Sequence, residues 1–124
     1  MKRKTGGASQ RLMRINDEIL RECANIIRQD IKDPRISTMV TVTKADTTND
    51  LSYAKIFVSI MGDDEQKKEV LEGLTAAAGF IRRGIAERIN LRATPELKFL
   101  IDDSLEYSLK MAKLIKEAND GIID

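Results

Sequence analysis

The residues of this chain that could do chemistry are cations close to a run of small side chains. Ala77, Ala78 and Gly79 carry almost no side-chain bulk, and Arg82 and Arg83 follow about one helical turn later. A phosphodiester strand could approach such a run closely, and a helix that restarts there would present free N–H groups and the positive end of its dipole. The pattern favours an anion site. The alternative is that the small residues let two helices pack tightly while the arginines form a solvated face.

Charged residues are segregated along the chain, although the formal net charge is only +1. Basic regions at residues 1–14 and 79–98 alternate with acidic regions at residues 63–72 and 102–124. Such segregation favours an oriented approach to a polyanion. The predicted polyanion contacts are the junction residues and arginines named above together with Lys2, Arg3, Lys4, Arg11, Arg14, Arg88 and Arg92.

The composition argues against most kinds of active site. Histidine is absent, which removes the usual general base, the Ser-His and Cys-His pairs and most zinc sites. The single cysteine, Cys23, cannot form an internal disulfide, and we expect it to be inert in the core. Asp102 and Asp103 are interpreted as a helix cap and not as a metal or acid pair, because adjacent strand residues point to opposite faces. We expect no enzyme activity, no catalytic residue, no metal and no cofactor.

The length of 124 residues fits one domain, and no apolar run approaches the roughly 20 residues that span a bilayer. No secretory signal is recognisable, so we expect a cytoplasmic protein. The predicted organisation is a disordered basic tail at residues 1–10, a single domain at residues 11–117 and a flexible C-terminus at residues 118–124. We expect a monomer.

The hydrophobic pattern of the first half predicts one helix and a hairpin. Apolar residues recur at helical spacing from about Arg11 to Ile31, and Asp33-Pro34 ends the helix. Alternating β-branched residues predict strands at 40–43 and 53–61, and the turn residues between them predict an antiparallel pair.

The second half predicts two helices, a strand and a final helix. Helical spacing continues from residue 65 to 89, but Gly79 interrupts it, so we expect two helices joined at residues 77–79. Residues 96–102 alternate like a strand. Asp103 or Ser104 is expected to cap the last helix, whose candidate buried positions are Leu105, Leu109, Ala112 and Leu114.

The predicted order α-β-β-α-α-β-α gives an α+β fold of two layers, a three-stranded sheet with its helices on one face. This order resembles the type II KH domain, a nucleic-acid-binding fold that clamps backbone with a GXXG loop between its two central helices. No two glycines here have that spacing. The matching junction has an A-x-G pattern instead, at Ala77 and Gly79.

Six short motifs occur in a fixed order between residues 14 and 107: RIN at 14–16, KDPR at 32–35, DLSYAK at 50–55, AAGFIRR at 77–83, TPEL at 94–97 and DDS at 102–104. In this order and spacing they resemble the ribosome-binding factor A family. The resemblance implies a KH-like domain with A-x-G in place of GXXG, and binding to the free small ribosomal subunit during late maturation of 16S rRNA, including its 5′ end. It also implies action together with assembly GTPases, neighbouring small-subunit proteins, support for growth in the cold and no catalytic activity.

Two other interpretations remain open. The chain could be a protein-interaction adaptor that recruits another factor through an exposed sheet or acidic helix, with its basic residues incidental. Tyr53 and Phe57 share one strand face, as do the stacking aromatics of an RRM, but the RRM's glycine–aromatic signature is missing, and packing is the simpler interpretation.

Overall fold

A computed structural model of the chain describes the backbone of residues 2–123 and the side chains of residues 10–104 and 106–120. The elements are α1 (Lys2–Gln29), α2 (Pro34–Met39), β1 (Val40–Thr47), β2 (Tyr53–Ile60), α3 (Asp64–Ala76), α4 (Ala78–Arg88), β3 (Glu96–Ile101) and α5 (Ser104–Ile123). Apart from the short α2, this is the predicted order, and the α+β fold class is confirmed.

The three strands form one sheet in the order β1-β2-β3. β1 and β2 pair antiparallel, as predicted for the hairpin, with a register shift between Val42 and Lys44. β3 joins β2 in parallel. Along β2 the residues alternate, so that Ile56 and Val58 are fully buried beneath the helices while Tyr53 on the other face is exposed. The helices therefore cover one face of the sheet and leave the other face open.

The core forms where α1 and α4 lie on the sheet. Ile19, Cys23 and Ile26 of α1 have no exposed surface, and neither do Ile81 and Ile85 of α4. Burying each of the isoleucine side chains contributes about 1.5–3 kcal/mol. Burial also raises the pKa of the Cys23 thiol to about 12, so the thiolate is absent near neutral pH and the interpretation of an inert core cysteine fits the structure.

Gly84 allows α1 and α4 to approach closely. A Cβ atom at Gly84 would lie 2.7 Å from Ile26 Cδ1 and 2.9 Å from Arg88 Nη1. Gly73 has a similar role between α3 and α2, because a Cβ there would lie 3.0 Å from Ile36 Cδ1. Both are packing glycines.

The first helix and its connection to the sheet differ from the sequence-based expectation. α1 begins at Lys2, nine residues before the predicted start at Arg11, within the stretch expected to be a disordered tail. No proline lies in residues 2–10 to stop the helix. Extending a formed helix also requires far less free energy than nucleating a new one, so α1 can continue into this stretch. α2 was not predicted. It begins with Pro34 in its first turn, and Arg35 N–H donates to the Asp33 carboxylate at 3.0 Å.

α5 extends from the domain with most of its surface uncovered. Leu109 and Leu114 are 63% and 52% exposed, and Ala112 is exposed as well, so the prediction that these positions are buried is wrong. The side chain of Leu105 lies outside the described residues. Helical periodicity shows that one side of a helix is apolar, but it does not show that this chain covers that side. Among residues 2–123, no helix is both long enough and apolar enough to cross a membrane.

Asp102 holds the start of α5 against the sheet. Its Oδ1 accepts from Ser104 N–H at 2.9 Å, and its Oδ2 accepts from the Thr43 hydroxyl at 2.7 Å. The described residues contain no cluster of three potential metal ligands, at Asp102 and Asp103 or elsewhere.

We expect Asp102 to make folding sensitive to acid. The bonds from Ser104 and Thr43 lower the pKa of this carboxyl from 3.8 to about 2. A group whose pKa is depressed by folding contributes stability that is present above its unfolded pKa and is lost as the pH falls toward the folded value. Urea unfolding between pH 5 and pH 2 should therefore show a shallower loss of stability for Asp102→Asn than for the wild type. If the free energy of unfolding falls equally steeply with pH in the two proteins, these hydrogen bonds do not persist in solution.

Candidate nucleic-acid interface

The junction of α3 and α4 lies at the surface. Ala77 is the single residue between the two helices, and its N–H donates to Gly73 O at 3.0 Å while its carbonyl accepts from Ile81 N–H at 2.9 Å. Ala77 and Ala78 are half-buried, and Gly79 is exposed. No side chain caps the N-terminus of α4, so its first N–H groups have no side-chain acceptor. The expectation of two helices joined at residues 77–79 is confirmed.

Gly79 has no packing role within the described part of the chain. The nearest atom that an added Cβ would meet is Arg83 Nη1 at 3.8 Å, an ordinary van der Waals contact. Gly84 and Gly73 differ, because a Cβ at either would press on an isoleucine. Tight helix packing therefore explains those two glycines but not Gly79, and its surface position leaves room for a partner.

The four arginines predicted after the junction differ in their surroundings. Arg82 donates from Nε and Nη2 to the carbonyl of Thr94 at 3.2 and 2.9 Å, which ties the loop before β3 to α4. Arg83 is exposed and forms no ion pair with the described residues. Arg92 is exposed in the loop between α4 and β3.

Arg88 is engaged by two acids of the first helix and its C-terminal turn. Its Nη2 lies 2.9 Å from Asp30 Oδ2 and its Nε lies 3.7 Å from Glu22 Oε1, so carboxylates of α1 already neutralise this cation. Arg88 therefore holds α4 against α1, and RNA would have to compete with two acids for it. The sequence separation of 58 residues between Arg88 and Asp30 explains why the pair could not be foreseen.

Arg11 and Arg14 lie toward the N-terminal end of α1, away from its contact with α4. Arg11 and Arg14 are exposed on α1, and Arg11 lines a shallow cavity with Asn49 beside the turn between β1 and β2. α4 meets α1 at Ile26, about 18 Å along the helix from Arg14. The side chains of Lys2, Arg3 and Lys4 lie outside the described residues.

Two further exposed arginines lie on α1 and were not among the predicted contacts. Arg21 and Arg28 follow Arg14 at intervals of seven residues, which are two helical turns of about 10.5 Å each. All three are exposed, and within the described residues none forms an ion pair, although Arg28 donates to Asn25 Oδ1 at 2.7 Å. The signal was the repeated spacing on the side of α1 opposite its buried stripe.

α1 and α4 present these residues on one surface. Both helices cover the same face of the sheet, so their outward sides face solvent together. On α4 the outward side carries Gly79 and Arg83, one turn apart and opposite the buried Ile81 and Ile85. We call this surface the arginine face, and it consists of Arg14, Arg21, Arg28, Gly79 and Arg83. Exposed acids on these helices include Asp17 and Glu87.

The cations of the arginine face can bind a polyanion at little internal cost. Phosphate binding would not break any ion pair within the described part of the chain, because these guanidinium groups have none to break. Guanidinium groups donate two parallel hydrogen bonds to phosphate oxygens, which makes arginine well suited to nucleic-acid backbone.

Comparison with known proteins identifies what the chain is similar to. The family model described as Ribosome-binding factor A matches residues 11–115. The chain is 49% identical over 119 residues to ribosome-binding factor A of Clostridium novyi, covering 92% of this chain and 98% of that protein. It is 50% identical over 114 residues to the Clostridium tetani protein, covering 92% and 94%.

Solved structures show the same fold. The crystal structure of ribosome-binding factor A from Thermus thermophilus has a TM-score of 0.65 at 26% identity, covering 73% of this chain and 94% of that one. A homology model of the Thermus thermophilus protein, fitted into a cryo-EM map of a 30S–RbfA complex, has a TM-score of 0.57 at 26% identity and covers 71% of this chain and 91% of that one.

Proposed function

The chain belongs to the ribosome-binding factor A family, and from this we propose that it is an assembly factor that binds the small ribosomal subunit. The relative fitted into a 30S complex supports the choice of partner. We further propose that the arginine face contacts 16S rRNA. The observation that carries this proposal is the set of outward arginines that have no carboxylate partner within the described residues.

The mechanism is recognition of shape and charge. Phosphate contacts fix the position of a protein on RNA but carry little sequence information. Arg14, Arg21 and Arg28 would each contact a phosphate along the length of α1. Gly79 would let a strand of RNA backbone come close to the start of α4, beside Arg83. Specificity then comes from the shape of the immature subunit and from neighbouring ribosomal proteins. No step of this mechanism requires catalysis.

Membership of the family supports a finer proposal. We propose that the chain acts in the cytoplasm as a monomer on free subunits, during late maturation of 16S rRNA that includes its 5′ end. It acts there in concert with assembly GTPases. Binding of this kind stabilises one folded form of the RNA over others, and such an effect matters most in the cold, where misfolded RNA helices dissociate slowly.

Salt dependence tests this proposal. If the four arginines of the arginine face each neutralise one phosphate, the affinity for purified small subunits should fall about 50–150-fold between about 50 and 200 mM salt. Cosedimentation with the subunits at several salt concentrations measures this slope. An affinity that does not change with salt would contradict phosphate recognition.

One observation favours an adaptor as the second candidate function. α5 exposes large apolar side chains that could bind another protein, among them Tyr107, Leu109, Leu114 and Ile115. Sedimentation of cell extract before and after ribonuclease treatment separates the two functions. A complex that survives the loss of RNA favours the adaptor, and a complex that disappears favours the RNA-binding factor.

A further inference from the structure

We propose that the open face of the sheet is a second RNA site, which binds a short single-stranded segment. The site consists of Lys55 and Lys98 between Tyr53 and Phe57, with Lys44 beside Phe57. We call it the sheet platform. It lies on the side of the sheet opposite the arginine face, and it rests on the proposed function only in that RNA is the expected partner.

The central pair of lysines calls for an anion. Lys55 and Lys98 are direct neighbours in the parallel pairing of β2 and β3, and both are exposed on the open face. Like charges directly opposite each other destabilise a sheet. No carboxylate of the described residues lies within ion-pair distance of either ammonium group. A phosphate bound between them would offset the repulsion.

Aromatic rings flank this pair on the central strand. Tyr53 and Phe57 lie two residues before and after Lys55, so all three side chains share one face at intervals of about 6.8 Å. Tyr53 is 57% exposed, and Lys44 Nζ lies 5.5 Å from the centre of the Phe57 ring. Base–aromatic stacking tolerates any sequence, because every base has a π face. Lys44 already covers one side of the Phe57 ring, so the arrangement fits one unpaired base stacked on Tyr53 and a backbone phosphate at the lysines beside it.

The acids on this face limit the length of RNA that it can hold. Asp46 is the neighbour of Lys55 in the register of β1, and Glu96 is the neighbour of Tyr53 in the register of β3. Asp102 is engaged by Thr43 and Ser104. A longer backbone would meet these carboxylates, so the platform suits a short segment. A duplex does not fit, because its bases are already stacked and paired. A protein partner fits less well, because two charged ammonium groups occupy the centre.

Tyrosine fluorescence tests the proposal directly. The chain has two tyrosines and no tryptophan, so Tyr107→Phe leaves Tyr53 as the only strong intrinsic fluorophore. Adding a short oligouridine should quench the emission of Tyr53 as a base stacks on it, and adding a blunt duplex of the same length should not. Unchanged emission with the single strand at concentrations where the full chain binds it would overturn the proposal.

Variants identify the residues and separate this site from the arginine face. Fluorescence anisotropy of a labelled oligouridine should show a loss of affinity of about 5–150-fold for Tyr53→Ala. For the double variant Lys55→Gln with Lys98→Gln, the negative slope of log affinity against log salt should become shallower by about 0.7, because one phosphate contact is lost. Lys110→Gln with Lys113→Gln on α5 is the matched control and should bind normally.

The outcomes of the two proposals are distinguishable. If platform variants bind oligouridine like the wild type, the platform proposal is wrong, whatever happens at the arginine face. If platform variants bind oligouridine normally but bind subunits less tightly, the sheet platform contacts a ribosomal protein and not RNA. If arginine-face variants bind subunits normally while platform variants lose oligouridine, the proposed function fails and the platform stands.

Discussion

Reversing the charge of Arg21, Arg28 and Arg83 together should lower the affinity for small ribosomal subunits by more than about 100-fold. A hydrogen bond to a charged group contributes about 1.5–3 kcal/mol, so losing three exceeds this factor before repulsion is counted. Thermal stability should hardly change, because exposed side chains without ion pairs contribute within about 0.5 kcal/mol each. Cosedimentation at fixed salt and a thermal melt of each protein measure the two quantities.

α5 provides a matched control for this prediction. Glutamate at Lys110, Lys113 and Lys116 changes the net charge by the same amount on a helix outside the arginine face. That variant should bind subunits with nearly wild-type affinity. An equal loss in both variants would mean that net charge, and not the arginine face, determines binding. Wild-type affinity in the arginine variant would make that face ordinary solvated surface.

Alanine at Gly84 should destabilise the fold, whereas alanine at Gly79 should not. The new Cβ at Gly84 would lie 2.7 Å from Ile26 Cδ1 and would also displace Arg88, which pairs with Asp30. Overpacking of this kind costs about 1–3 kcal/mol, and since both variants gain the same helix propensity, Gly84→Ala should melt roughly 3–10 °C below Gly79→Ala. Gly79→Ala meets only ordinary contacts and should be neutral or should add up to about 1 kcal/mol through helix propensity.

The same pair of glycines separates folding from binding. Gly79→Leu should melt close to the wild type but bind subunits less tightly, because its side chain would occupy the space offered to RNA backbone. Circular dichroism melts and cosedimentation of both variants test this. If Gly79→Leu binds fully, the A-x-G pattern has no role in RNA approach. If Gly84→Ala is as stable as Gly79→Ala, α1 and α4 do not pack as closely as the structure shows.

The elements with strong periodicity could be predicted from the sequence. The buried stripe of α1 and the alternation of β2 each follow from the spacing of apolar residues, which the sheet and helices then bury. The break near Ala77 was also predictable, because a glycine within a long helical pattern needs a local reason. The RNA contacts proposed around that junction stay a prediction.

Other features depend on contacts that no local pattern encodes. The six residues of α2 are too few for periodicity to register. α5 has an apolar side that this chain leaves exposed, so the prediction of its burial was wrong. Arg88 belongs to the same charge cluster as Arg83 in the sequence, yet the tertiary fold brings Asp30 to one and not to the other. Arg21 and Arg28 were missed because Asp17, Glu18 and Glu22 make this stretch of the sequence look neutral in charge.

Site-specific photocrosslinking tests the central claim most directly. A benzophenone amino acid at position 21, on the arginine face, should crosslink to 16S rRNA in purified small subunits. The same group at Glu72, an exposed acid of α3, should not. Crosslinks from position 21 to ribosomal proteins alone, or equal RNA crosslinks from both positions while binding is intact, would contradict the assignment of the arginine face as the RNA contact.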